Sequence, residues 1–151
     1  MTDKLRKMRV AAYAVIIDEG RILLSRWLGP DKPMWILPGG GVDHGEDPYD
    51  AVVREVFEET GYRAAVDALL GIQSLHGPLN RDGVDLDYHR LRILYEAHVT
   101  GGELTFEVGG STDQAAWFPL DKIPEDHVES VDVALELHRL RPADGRAPSF
   151  T

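Results

Sequence analysis

Between Gly40 and Gly61 the chain spaces its acids at fixed intervals: Glu46, then Arg54-Glu55, then Glu58-Glu59. Carboxylates are hard oxygen ligands. Three of them on one side of a helix, reached through a glycine turn, can hold divalent cations against a diphosphate. At about 100° per residue, Arg54, Glu55, Glu58 and Glu59 share one helical sector. Tyr49, Val53, Val56 and Phe57 fall in the opposite one, so the spacing predicts a helix buried on one side and acidic on the other. Glu55 repels Glu58 at i,i+3 and Glu59 at i,i+4. Between Asp43 and Glu59 seven acids stand against one Arg, so the face calls for a cation. A charge run alone is usually a solvated surface. The glycine turn, the Arg-Glu pair and the Glu-Glu-x-Gly ending point past that reading.

Residues 40–62, GGVDHGEDPYDAVVREVFEETGY, resemble the signature of the Nudix hydrolases, G-x5-E-x7-R-E-aliphatic-x-E-E-x-G-aliphatic. Gly40, Glu46, Arg54, Glu55, Glu58, Glu59 and Gly61 occupy the fixed positions and Val56 the first aliphatic one; Tyr62 departs at the second. The resemblance implies metal-dependent cleavage of a phosphoanhydride in a nucleoside diphosphate linked to another group. Nucleotide-sugar or ADP-ribose-type compounds compete with (deoxy)nucleoside triphosphates as substrates. It further implies that Glu58 and Glu59 ligate Mg²⁺, with Mn²⁺ as a substitute, joined by Glu55 and the Gly39 carbonyl. Glu55 alternatively serves as general base. Arg54 orients Glu55, and Glu46 braces the loop against the helix. Many relatives carry a further glutamate where this chain has Ser111, which leaves Asp113 and Glu107 as candidates for the late acid.

The elements that must position these groups are marked by their own punctuation. Asp47 is an N-cap, Pro48 suits the first helical position, and Gly61 stops the helix. Residues 10–17 and 21–27 read as strands joined by a hairpin at Asp18-Glu19-Gly20, and 35–37 as a short buried strand. Residues 62–72 and 90–99 read as strands flanking a polar surface loop, 77–87. A turn at 100–103 leads into strand 104–108, with another strand at 115–119 and a terminal helix at 126–140. Arg26 and Trp27 end one strand and Arg92 lies in another; Arg26 is a candidate phosphate contact and Arg92 a candidate substrate contact. Six scattered histidines show no ligand spacing with one another.

These elements place the chain in the α/β class, and the resemblance implies an α/β/α sandwich with a mixed sheet between helices. A length of 151 residues suits one domain, expected at 10–140, with an N-terminal arm at 1–9 and a flexible tail at 141–151. A net charge of -10 argues against binding along a nucleic-acid backbone, whereas a metal can reverse the local sign for a small anionic substrate. No run reaches the roughly 20 apolar residues of a membrane span, and the absence of cysteine excludes disulfides and thiolate chemistry. A reducing cytoplasm fits that composition. Relatives occur as monomers and dimers. A non-catalytic nucleotide sensor on the same fold is the competing function, and its expected mark, loss of Glu55, Glu58 or Glu59, is absent.

Overall fold

The structure, a computed structural model, describes residues 4–148. Strand β1 (Leu5–Val15) is the spine. It pairs in parallel with β7 (Val84–Gly102) and antiparallel with β5 (Gly39–Gly41), and β7 pairs with β6 (Tyr62–Arg81), giving a mixed sheet ordered β5-β1-β7-β6. A second sheet forms around β3 (Arg21–Trp27). β2 (Ile17–Asp18) and β4 (Met34–Ile36) lie along one edge of it and β8 (Thr112–Pro119) along the other.

Alternation along β1 divides the core in two. Ala11, Tyr13 and Val15 point toward helix α2 (Glu129–Leu140) and pack with Leu94, Val131, Ala134 and Leu137. Ala12 and Ala14, with Ile16 beyond the strand, point the other way, against Ala51, Val52 and Val56 of helix α1 (Pro48–Thr60). The mixed sheet thus lies between two helices, as the α/β/α reading expects. Among the described residues no helix is long and apolar enough to cross a membrane.

The ends of α1 are set by the residues that predicted them. Asp47 accepts the Tyr49 amide at 2.8 Å, and Gly61, at φ 78°, closes the helix onto the Phe57 carbonyl. The buried face differs from expectation. Tyr49 and Phe57 are exposed at 46% and 53%, whereas Glu59 and Thr60 are buried beside Ala51, Val52 and Val56. Periodicity ranks apolar residues inward, but a carboxylate with partners inside goes in as well. Tyr62 also finds a place: its hydroxyl accepts the Trp117 indole N–H at 3.1 Å.

Other segments depart from the sequence reading as well. Residues 77–87 form a hairpin rather than a loop, since β6 and β7 stay paired out to Arg81↔Val84. The turn is Asp82-Gly83, with φ of 52° and 79°, the backbone that a two-residue hairpin requires and that Asp-Gly supplies. Residues 104–108 form no strand; they cross α1's end as a loop held by the Thr105 amide on the Thr60 carbonyl at 2.8 Å. Residues 5–9 continue β1 instead of forming an arm, and the described part of the tail is tied to β6. There the Ile72 amide donates to the Gly145 carbonyl at 2.7 Å and the Ala147 amide to the Ile72 carbonyl at 3.3 Å. Residues 1–3 and 149–151 of the expected arm and tail lie outside the described residues. α2 begins at Glu129 rather than 126 because the preceding chain bonds to Trp35 of β4 through the Asp126 carbonyl and Val128 amide.

Candidate active site

Glu59 points inward from the last turn of α1. Its Oε2 accepts the Gly39 amide at 2.9 Å and the Ser25 hydroxyl at 3.3 Å. Burial pushes its carboxyl up to about 8; the Gly39 amide opposes that rise, and the nearby charges of Glu55 and Glu107 add to it. Gly39 has φ 149°, and a Cβ there would lie 2.2 Å from the Ala12 carbonyl oxygen, so only glycine brings β5 this close to β1.

Glu55 stands half-buried one turn earlier, and burial raises its carboxyl too, against the pull of Arg54. A Cβ on Gly40 would come within 2.8 Å of Glu55 Oε1, so the bare glycine leaves the carboxylate its room. Arg54 is the hub of the acidic face. Its Nε and Nη2 fork onto Glu46 at 2.9 and 3.0 Å, its Nη1 reaches Glu55 and Glu58 at 3.2 Å, and its Nη2 meets the Gly41 carbonyl at 3.3 Å. Glu46 also accepts the Asp43 amide at 3.1 Å, clamping the loop to the helix. The Arg54 fork first, and then the Asp43 amide, hold the Glu46 carboxyl below its ordinary range. Glu58 is exposed on the outer side of the same face.

The late candidates separate in space. Asp113 on β8 forms a fork with Arg26 on β3, Nε to Oδ1 at 2.9 Å and Nη2 to Oδ2 at 2.5 Å. The pair is self-contained, and neither residue lines the cavity beside Glu55 and Glu59. Glu107 does not line it either, but its charge adds to the rise of both of those carboxyls, and it accepts the buried Thr112 hydroxyl at 2.7 Å. Gly110 makes room for it: a Cβ there would fall 2.0 Å from Glu107 Oε1. Ser111 lines the cavity beside Thr112.

That cavity, about 740 Å³, runs from Glu55, Glu59 and Gly39–Gly41 past Trp27 and Ile36 to Arg9, Tyr88, Arg90 and Arg92. Arg92 therefore lies where a substrate contact was expected; Arg26 does not. Sequence reasoning missed Ser25 and Arg9; the hairpin tip of the polar segment 77–87, Asn80, Arg81 and Asp82, also lines the cavity. The Tyr88, Arg90, Arg92 alternation was the available signal for that wall.

The donor set suits a hard divalent cation, since it consists of carboxylate and carbonyl oxygens without thiolate or imidazole. A buried carboxylate that lacks a cationic partner, as Glu59 does, is a group a cation would stabilise. Among the described residues no three His, Asp or Glu side chains are grouped to hold a metal alone. Mg²⁺ needs no such cage, because it usually takes one or two carboxylates and completes its shell with phosphate and water.

The NUDIX domain family matches residues 7–137, most of the chain. The chain belongs to the Nudix hydrolases. An ADP-ribose pyrophosphatase of Methanocaldococcus jannaschii is 37% identical over 117 residues, covering 77% of this chain and 64% of that protein. A Bacillus subtilis protein named, provisionally, as an 8-oxo-dGTP diphosphatase is 32% identical over 120 residues, 75% of this chain and 68% of its own. The chain thus spans about two-thirds of the length of these relatives. Among solved structures, a MutT Nudix hydrolase from Burkholderia pseudomallei is 31% identical with a TM-score of 0.68, covering 87% of this chain and 98% of that one.

Proposed function

We propose that this Nudix protein hydrolyses the phosphoanhydride of a nucleoside diphosphate linked to another group, with Mg²⁺ or Mn²⁺ as cofactor. The observation that carries the reading is the convergence of Glu55 and Glu59 on the side-chain-free strand Gly39–Gly41 at one end of a cavity large enough for a nucleotide. Glu58, Glu59 and the Gly39 carbonyl would hold the cations, leaving Glu55 as general base. When bound, such ions neutralise phosphate oxygens and lower the pKa of an attacking water.

The protein's own groups supply the rest. Glu55 takes the proton of the attacking water as the new P–O bond forms and the bridging P–O bond breaks, so the leaving phosphate departs with the bond's electrons. Arg54 holds Glu55 in one orientation, and Glu46 holds Arg54. Glu107, rather than Asp113, is the late acid whose charge reaches Glu55 and Glu59. Intact Glu55, Glu58 and Glu59 favour this reading over a binding-only sensor.

The test is a panel of ADP-ribose, nucleotide sugars, dinucleotides, dNTPs and 8-oxo-dGTP assayed with Mg²⁺ and with Mn²⁺. At least one compound is expected to yield two phosphorylated products at a rate that Glu59→Gln lowers by orders of magnitude. Binding without product across the panel would instead establish a sensor.

A further inference from the structure

The wall away from the carboxylates carries four arginines. Arg9 and Arg90 are direct partners in the parallel β1–β7 register, and Arg92 follows two residues on, opposite Ala11. Tyr88, Arg90 and Arg92 alternate along β7 and therefore share one face. Arg81 and Arg90 lie over the buried Tyr88 ring at 5.5 and 5.9 Å. Arg92 donates to the buried Gln73 Oε1 at 3.1 Å. Among the described residues none of these four forms an ion pair, although Asp82 lines the same cavity. In a chain of net charge -10, four arginines gathered in one cavity without a carboxylate partner are a concentrated positive field.

Strand β5 is the sill between that field and the carboxylates. A Cβ on Gly40 would meet Glu55 Oε1 at 2.8 Å, and a Cβ on Gly41 would meet Arg9 Nη2 at 3.4 Å. The carboxylate and the guanidinium thus flank successive residues, about 3.4 Å apart along the strand and on its two faces. A ligand draped over this bare strand reaches both ends of the cavity at once.

We propose that the arginine face is a subsite for a second phosphate of the substrate, a phosphate monoester separate from the diphosphate held at the carboxylates. The proposal rests on the nucleotide-hydrolase reading above and names its substrate class: a nucleotide phosphorylated at a further position. Cations bound by the glutamates serve the scissile diphosphate, which leaves the arginines without an anion. Burial holds the Arg92 guanidinium below its ordinary value, and the charges of Arg90 and Arg9 lower it further, while Tyr13 and Glu129 pull the other way. An arriving phosphate relieves that repulsion and accepts the guanidinium N–H groups in pairs. Trp27, which lines the cavity, supplies a flat wall for the nucleoside between the two ends.

Adenosine 3′,5′-bisphosphate, its 2′,5′ isomer and AMP contain no anhydride, so their binding is read by calorimetry in EDTA independently of catalysis. At least one bisphosphate is expected to bind about tenfold or more tighter than AMP, with a preference that shrinks as salt rises. Arg90→Gln and Arg9→Gln, checked for native melting, are each expected to remove most of it, whereas Glu59→Gln keeps it. Equal affinities, no binding by any of the three, or a preference that survives both arginine variants would overturn the proposal. Phosphate-selective binding by a protein that cleaves nothing would overturn the hydrolase reading alone.

Discussion

Glu59 accepts the amide of Gly39 at 2.9 Å from inside the protein, tying the last turn of α1 to the glycine strand across the site. One carboxylate oxygen is thereby committed to protein donors, since Ser25 reaches the same Oε2. Among the described residues the other has no protein donor, which leaves it available to a cation.

That arrangement has a pH signature. The Glu59 carboxyl is pushed up to about 8 in the folded chain, from an ordinary 4.5. Between those values the fold holds the proton more tightly than the unfolded chain, so stability is full below the lower value and declines as pH rises to the upper. At about pH 9, metal-free Glu59→Gln is therefore expected to melt above wild type. Added Mg²⁺ or Mn²⁺ should raise the melting temperature of wild type and leave the variant nearly unmoved. Equal metal stabilisation of both proteins would remove Glu59 from the ligand set.

Glu107 and Asp113 are expected to behave differently. Glu107→Gln should lower kcat by about a hundredfold or more, the usual scale for losing a positioned acid or base. Asp113→Asn breaks the Arg26 fork on the far side of β3 and should leave kcat close to wild type with a small drop in melting temperature. Steady-state kinetics of the two variants decide it, and the reverse ranking would assign Asp113 to the site.

The glycines of β5 test positioning. Gly40→Ala puts a methyl 2.8 Å from Glu55 Oε1, at the movable end of a side chain, so the fold should survive while kcat falls. A fall of about tenfold or more is expected for a displaced catalytic group. Gly39→Ala meets backbone at 2.2 Å with φ 149°, so it should lose expression or melt well below wild type. Full activity in Gly40→Ala would show that Glu55 need not stay where it is.

Arg54 acts on Glu55 through charge. Burial raises the Glu55 carboxyl and Arg54 draws it back down, so removing the guanidinium should let it rise further. In Arg54→Ala the acidic limb of the kcat–pH profile is expected to move to higher pH, with kcat reduced at every pH. Arg54→Lys should restore the limb but only part of kcat, because an ammonium cannot fork onto both Glu46 oxygens. An unmoved limb in Arg54→Ala would mean that the titrating base is not Glu55.

Much of this was readable from local chemistry. Asp47, Pro48 and Gly61 bound α1 because capping depends on the few residues at a helix end. Hairpin β2–β3 follows from a local turn signal, and the Arg54-Glu55-Glu58 cluster follows from helical geometry alone. The errors were of another kind. The Asp82-Gly83 turn was present in the sequence, but polar flanks hid the pairing of β6 with β7. The exposure of Tyr49 and Phe57 and the burial of Glu59 depend on what packs against each face of α1.

By itself, then, the sequence determined the family and the helix that carries the glutamates, because those features rest on spacings within a few residues; the glycine run that reads as a turn becomes strand β5 only by pairing with β1. Only the tertiary structure separated the two late acids. Pairing of β3 with β8 gives Asp113 to Arg26, while Glu107, close to it in sequence, accepts the Thr112 hydroxyl and adds its charge to that of Glu55 and Glu59. The arginine wall has the same origin. Arg9 and Arg90 lie far apart along the chain and become neighbours only through the parallel register of β1 and β7, which no local pattern encodes.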